Sequence, residues 1–476
     1  MNTPAVIPAK AGIHKLRRWK LWVPAFAGMT VVMFWLVTIP PLLPSHDKVA
    51  AAWKPSESWL YDRNGQLLDS QRVNFRARRL GWVAMKDMAP VLGNTVIAAE
   101  DKRFRDHGGI DWLAVASAAK ARFSGERSRG ASTISMQVAA FLAPGLAAPG
   151  ARGWFDKIRQ MRAARALESR WSKNEILEAY LNLAGFRGEA QGIGAAALGL
   201  FGKTPATLTA DEARLVAALL PDPSASAGEI AARACRGKPS DCGRLREMAN
   251  AMLGNQRQLA LDPGLAPHLA VKLLGEPGLK VSTTLDRNVQ AMATVALRRQ
   301  LMGLGSDRAR DGAVVVVDNA TGDVLAYVGG VGGGSTAAAV DGADAYRQAG
   351  STLKPFLYGM VMERGYLTPA SILDDSPVQL DTASGLYVPQ NYDRAFKGPV
   401  SVRAALAGSL NVPAVRTLVI GGTEAFRDRL WDTGYRGLTE DGQYYGFSLA
   451  LGSAEVTLLE QAAAYRSFAL GGRWSP

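Results

Sequence analysis

Between Met85 and Leu220 the apolar residues of this 476-residue chain return every three or four positions, with Leu, Ile and Met set among many alanines. That period predicts a run of α-helices and a compact all-α domain. Val91, Leu92, Val96 and Ile97 trace one such helix, which runs into the charged stretch Glu100 to Asp106 and stops at Gly108-Gly109. Upstream, Trp59 to Leu68 predicts a β-hairpin turning at Asn64-Gly65. Pro, Gly, Ser and Lys break the helical period after Pro221, so 226–280 is expected to be a connector with short helices. Beyond Val281, Ala313-Val-Val-Val-Val-Asp318 predicts a buried strand, Asn319 to Gly322 a turn, and Asp323 to Val328 the hairpin partner. Helices are expected around Ser351 and Ser409, giving an α/β domain over 281–476.

An uncharged run from Leu21 to Leu43 follows Lys10, Lys15, Arg17, Arg18 and Lys20. It is long enough for a bilayer crossing of about 20 residues. The cationic flank places 1–20 in the cytoplasm and the bulk of the chain outside it, as a single-pass inner-membrane protein. A cleavable signal peptide is the rival, but Pro40, Pro41 and Pro44 make a poor cleavage site. Val6 to Gly12 is echoed by Val23 to Gly28, which leads to the expectation that the natural start is Met29 or Met33.

Composition narrows the choice. The chain is 48% hydrophobic and 20% charged, as folded proteins are. Its formal charge of +13 favours an anionic partner: nucleic acid, an acidic membrane surface, or a phosphate-bearing substrate. The basic residues do not alternate with aromatics as a nucleic-acid surface would require. Cys235 and Cys242 could close a small disulfide loop or stay as two thiols; both readings stand. Two Cys and four scattered His make no zinc set.

A carboxylate at the helix end near Glu100, half in apolar packing, is placed to act as a general acid or base. Three stretches carry more: Glu100-Asp101-x-x-Phe104-x-x-His107-x-Gly109, Gly130-Ala-Ser-Thr-Ile-Ser-Met-Gln137, and Ser172 to Asn182. In that order and spacing they resemble the first motifs of glycosyltransferase family 51, the peptidoglycan polymerases. Downstream, Gly350-Ser351-Thr352-Leu353-Lys354 and Ser409-Leu410-Asn411 resemble motifs of penicillin-binding transpeptidases. From about Trp53 to its end the chain resembles a class A penicillin-binding protein of the 1C type. The resemblance implies a multidomain fold: a membrane helix over 21–43, a lysozyme-like all-α glycosyltransferase domain over 55–225, the connector, and an α/β serine acyl-transferase domain over 281–476 that is C-terminally incomplete.

It also implies roles. Glu100 would be the base that takes the acceptor's proton while lipid II is polymerised with inversion. Asp101, Arg103, Phe104, His107, Ser132, Thr133, Gln137 and Asn182 would contact substrate. His107 is expected to close the helix end and Thr133 to serve as a helix N-cap as well. Lys157, Arg162 and Arg165 are expected to share a helix face opposite a diphosphate, with Gln160 among them. Many members of that family carry a second essential Glu where this chain has Gln160, which cannot ionise. Glu168 could substitute, or could be an ion-pair partner of Arg165 or Lys173. Such a site allows a divalent cation, magnesium or manganese, without requiring one.

In the acyl-transfer motif Ser351 and Lys354 stand three apart on a helix, so Lys354 is expected to reach the Ser351 hydroxyl and, if buried, to lose its proton and act as base. Ser409 and Asn411 would complete the site. Enzymes of this class also need a Lys-Thr-Gly strand. None follows Asn411, so polymerisation is expected intact and acyl transfer compromised or dependent on further sequence. The expected partners are lipid II, the lipid-linked glycan, membrane lipid, β-lactams and other cell-wall synthesis proteins, with no nucleic acid. Two rivals remain at this level: a lysozyme-like glycan hydrolase and a catalytically degenerate membrane scaffold.

Overall fold

The hairpin predicted around Asn64-Gly65 forms, but it joins a strand far along the chain and not the helices that follow it. Strands β1 (Glu57–Tyr61) and β2 (Leu67–Arg72) lie side by side, and β1 pairs in parallel with β3 (Lys280–Ser282), Leu60 opposite Val281. Asp62 builds the turn, its Oδ1 accepting from the N–H groups of Asn64 at 2.8 Å and Gln66 at 2.7 Å. The computed structural model describes residues 38–475 apart from 125–131, 147–153, 238, 255–262, 306–307, 334 and 383–384. Contacts divide the chain into one unit of residues up to 57 with 74–260, and a second of 58–73 with 261–476. The expected boundaries move accordingly. The hairpin leaves the helical domain, and most of the expected connector joins it.

The first unit is helical: α1 (His46–Ala52), α2 (Pro90–Glu100), α3 (Trp112–Phe123), α4 (Ile134–Leu142), α5 (Trp154–Glu168), α6 (Lys173–Leu183), α7 (Ile193–Phe201), α8 (Ala210–Leu219), α9 (Ala227–Ala234) and α10 (Cys242–Gly254). Leu92 and Val96 of α2, Ile134 and Val138 of α4, and Ile176, Leu177 and Tyr180 of α6 meet in one buried core. Helix starts are set locally. Ser172 with Glu175, and Thr209 with Glu212, form capping boxes at α6 and α8. The segment before α1 is seated on the unit, with Trp171 Nε1 donating to the Pro44 carbonyl at 3.2 Å. Cys235 and Cys242 are bridged, closing the short link between α9 and α10. Residues 21–37 of the predicted span lie outside the described residues, and among the described residues no helix is long and apolar enough to cross a membrane.

In the second unit, α11 (Pro267–Leu273) packs by β2, and α12 (Arg287–Leu304) packs on the antiparallel pair β4 (Val314–Val317) and β5 (Val324–Val328). That hairpin is the predicted one. Gln290 on α12 secures it, accepting from Tyr327 N–H at 2.7 Å and donating to the Tyr327 carbonyl at 2.9 Å. Short ladders follow: β6 (Arg347–Gln348) with β11 (Glu455–Val456), β7 (Ile372–Asp375) with β10 (Gly398–Ser401), and β8 (Leu380–Thr382) with β9 (Gly385–Tyr387). Helices α13 (Lys354–Glu363), α14 (Val402–Ala407), α15 (Asn411–Gly421), α16 (Thr423–Asp432) and α17 (Leu458–Ala469) surround a core that includes Leu357, Val361, Val415, Leu418 and Phe426.

Candidate active site

Helix α4 ties the helical unit's motifs together. Its N-cap Thr133 donates to the Gly109 carbonyl at 2.7 Å and accepts from Met136 N–H at 3.2 Å. Ile134 N–H donates to Asp101 Oδ2 at 3.1 Å, so a buried carboxylate sits at the positive end of the helix. One turn on, Gln137 Nε2 donates to Glu100 Oε2 at 3.2 Å, and the Tyr180 hydroxyl donates to Gln137 Oε1 at 3.3 Å. Glu100 is the half-buried last residue of α2. Burial, together with the Glu100 charge beside it, drives the Tyr180 phenol far above its ordinary range, so it stays a donor.

His107 does close the turn after α2. Its Nε2 lies 3.1 Å from both Asp101 oxygens, and its Nδ1 accepts from Gly109 N–H at 3.2 Å, which assigns the proton to Nε2. Gly109 has φ +91°, and a Cβ there would meet the Ala164 backbone of α5 at 2.8 Å. No other residue fits. Lys173 Nζ donates to the His107 carbonyl at 2.5 Å, pairs with Glu168 Oε2 at 2.6 Å and stands 4.5 Å from the Phe104 ring centre. Ser135 Oγ donates to Glu168 Oε1 at 2.5 Å. Glu168 is therefore the ion-pair partner of Lys173, the second of its two expected roles.

On α5, Lys157 Nζ donates to Ser132 Oγ at 2.6 Å and reaches Gln160 Oε1 at 3.5 Å. Gln160 is buried and donates to the Leu146 carbonyl at 2.5 Å, a bond a carboxylate could not make. The expected common basic face does not form. Arg162 is five residues, or about 140°, round the helix from Lys157, and it donates to Thr38 instead. Arg165 is exposed and lines a cleft of about 580 Å³ with Arg103, His107, Asp111, Trp112 and Glu168; Glu100 is not among its lining residues. Burial alone would raise the Asp111 carboxyl, but Arg103 and the Ala114 N–H hold it below the usual range.

Two expected substrate contacts are corrected. Phe104 is wholly buried in the core beneath Lys173. Asn182 is buried and clasps Val83, accepting from its N–H at 2.9 Å and donating to its carbonyl at 2.8 Å, with a second donation to Glu178. Lys173 is the Glu168 partner the sequence allowed, whereas Tyr180, seven residues later on the same helix, is a site residue that the sequence reading does not single out. Among the described residues no group of three or more His, Cys, Asp or Glu could hold a metal ion, and Asp101 and Glu168 are committed elsewhere.

In the second unit Lys354 opens α13 just after the 3-10 turn Gly350–Leu353 that carries Ser351. The lysine is buried, and burial depresses its ammonium to about 8. Its Nζ donates to the Ser409 carbonyl at 2.7 Å, Ser409 Oγ at 3.1 Å and Asn411 Oδ1 at 2.8 Å. The expected direct reach to Ser351 is not made among the described residues. Ser351 is exposed, and Nζ is turned to the second motif. Ser409 holds φ +51°, a left-handed conformation uncommon outside glycine.

Residues 64–240 match the transglycosylase family, and residues 312–476 match the penicillin binding protein transpeptidase domain. The chain belongs to the class A penicillin-binding proteins. It is 36% identical over 410 residues to penicillin-binding protein 1C of Escherichia coli, covering 82% of this chain and 51% of that protein. Its likeness to the biosynthetic peptidoglycan transglycosylase of Mannheimia succiniciproducens is 43% over 204 residues, or 42% of this chain and 74% of the relative. Penicillin-binding protein 2D of Bacillus subtilis is 29% identical, covering 94% of this chain and 67% of the relative. The chain thus spans about half the length of the 1C relative and two thirds of the 2D one. A crystal structure of penicillin-binding protein 1A from Haemophilus influenzae shares the fold of this family member, with TM-score 0.53 at 20% identity over 88% of this chain and 68% of that one.

Proposed function

We propose that the helical unit is a peptidoglycan glycosyltransferase that extends a lipid-linked glycan with lipid II. The observation that carries it is the joint between the first two motifs, where Gln137 holds the half-buried Glu100 at 3.2 Å while Lys157 meets Ser132 at 2.6 Å at the start of the same helix. In the reaction the acceptor hydroxyl oxygen attacks the donor's anomeric carbon from the face opposite the diphosphate. The carbon–oxygen bond to the diphosphate breaks, and the hydroxyl proton passes to Glu100. Lys157, with the Ser132 hydroxyl, offsets the charge that develops on the departing diphosphate. No step is assigned to a divalent cation. The Lys157 cation beside Ser132 favours synthesis over glycan hydrolysis, which releases no anion. A membrane span over 21–43 would keep this site at the bilayer surface, where the polyprenyl tails lie. A lipid II polymerisation assay of the parent chain and Glu100→Gln, with and without magnesium, tests the proposal. Glycan strands from the parent and none from the variant support it; equal products from both refute it.

For the second unit the reading is a serine acyl-transfer site, with Ser351 the nucleophile and Lys354 the base. A lysine depressed to about 8 and seated against Ser409 and Asn411 supports it. Labelling of Ser351, but not of Ser351→Ala, by a fluorescent penicillin is the test. Absence of label would remove the acyl-transfer role.

A further inference from the structure

We propose that Asn391 is a positioning residue of the acyl-transfer unit, acting through the backbone of Asn411 and Val412 on the loop that holds Lys354. This rests on the reading of Ser351, Lys354, Ser409 and Asn411 as that site. Asp375, at the end of β7, is completely buried, and both its oxygens accept at 2.9 Å from Asn391 Nδ2, which also donates to the Ala395 carbonyl at 2.9 Å, while Oδ2 accepts from Lys397 N–H at 2.9 Å as well. At its other end the Asn391 carboxamide accepts from Asn411 N–H at 2.9 Å and from Val412 N–H at 3.3 Å. Those are the opening N–H groups of α15, which have no partner within the helix. The neighbouring main chain adds a tie, because Asn411 Nδ2 donates to the Gln390 carbonyl at 2.9 Å.

The consequence reaches the lysine through Ser409. A non-glycine residue at φ +51° keeps that conformation only where its surroundings impose it. The Ser409 carbonyl and hydroxyl, with Asn411 Oδ1, are the three acceptors on Lys354 Nζ. Asn391 and Gln390 fix the chain immediately after Ser409, so the acceptors' placement depends on them. Only a carboxamide satisfies this position, since one end must donate to a carboxylate and the other must accept from two N–H groups. The Asp375 charge sets which end points where.

Three variants of the full chain test this. Asn391→Ala is expected to speed hydrogen exchange at the Asn411 and Val412 amides and to slow labelling of Ser351 by fluorescent penicillin about 10- to 100-fold, the usual cost of loosening a reacting geometry. Asn391→Asp sets a second carboxylate against Asp375 and is expected to label more slowly still. Adding Asp375→Asn to it restores a donor–acceptor pair, so the double variant is expected to label faster than the Asn391→Asp single. General destabilisation would not produce that rescue. Unchanged exchange at 411–412 in Asn391→Ala, or a double variant no faster than the single, overturns the proposal. If the parent chain takes no label, the acyl-transfer reading falls and with it the role toward Lys354. The exchange data then decide the Asn391 clasp by themselves. If Asn391→Ala does not fold, exchange in the double variant against Asn391→Asp carries the same decision.

Discussion

The amide nitrogen of Gln137 lies 3.2 Å from the Glu100 carboxylate, and its own amide oxygen is claimed by Tyr180. A carboxylate only accepts, so Glu100 draws the N–H side of the Gln137 amide toward itself and leaves the amide oxygen to the Tyr180 phenol, which burial keeps protonated and donating. A base caught in this way meets its substrate in one orientation.

Removing parts of this arrangement should therefore lower turnover more than binding. Glu100→Gln is expected to cost about 10²–10⁴-fold in polymerisation rate, the range of general base catalysis. Tyr180→Phe keeps the packing and removes the donor, so a smaller loss, largely in kcat, is expected. Steady-state assays with lipid II separate kcat from KM.

The Lys173–Glu168 pair is a structural joint between α5, α6 and the turn after α2. Lys173→Met leaves the Glu168 carboxylate with Ser135 and, at 3.9 Å, the His107 ring, and is expected to destabilise the helical unit by about 3 kcal/mol, toward the lower end for a broken buried pair because the lysine is partly exposed. Urea unfolding reads the loss. Replacing both partners by apolar residues of similar size should cost less than either single change.

For Lys354 the sign of the pH effect is fixed by its depressed value. The folded lysine loses its proton near pH 8 and the unfolded one near 10.4, so between these the unfolded chain binds more protons. The cost of burying the ammonium is present in full below pH 8 and disappears as pH rises past about 10. Stability relative to Lys354→Met should therefore rise by about 3 kcal/mol over that window. Denaturant midpoints of both proteins from pH 7 to 10.5 check it.

The Cys235–Cys242 bridge closes a loop of only a few residues, so its effect on the unfolded chain is small, about 2–3 kcal/mol. Ion pairs of Arg214 and Arg244 with Asp241 and Asp211 already hold the same link. Changing both cysteines to Ala should lower the melting point of the helical unit by a few degrees without unfolding it. Calorimetry is the measurement.

What the sequence made legible was local. The helix ending at Glu100, the β4–β5 hairpin and the turn at Asn64-Gly65 depend on residues a few positions apart, and each is where its pattern placed it. The motifs located Glu100, Lys354 and Asn411, and the basic stretch between two of them located Lys157. What stayed hidden are partnerships across the chain, such as Gln137 with Tyr180, Asn182 with Val83, and Asn391 with Asp375. Spacing along a helix gives an angle but not the neighbour at that angle, which is why Arg162 was grouped with Lys157 although it turns to Thr38. Phe104 shows the same limit, since a motif position does not reveal whether its side chain faces the cleft or the core.

The pairing of β1 with β3 also sets an order of events during synthesis. Leu60 must wait for Val281, made roughly 220 residues later, a delay of roughly 10–45 s at ordinary ribosomal speeds. Throughout that interval an early hairpin stands with an open edge, while the helical segment made in between can finish its own core. A nascent chain halted near residue 260 would thus hold a finished helical body and a stranded ribbon, the form most exposed to mispairing with another copy.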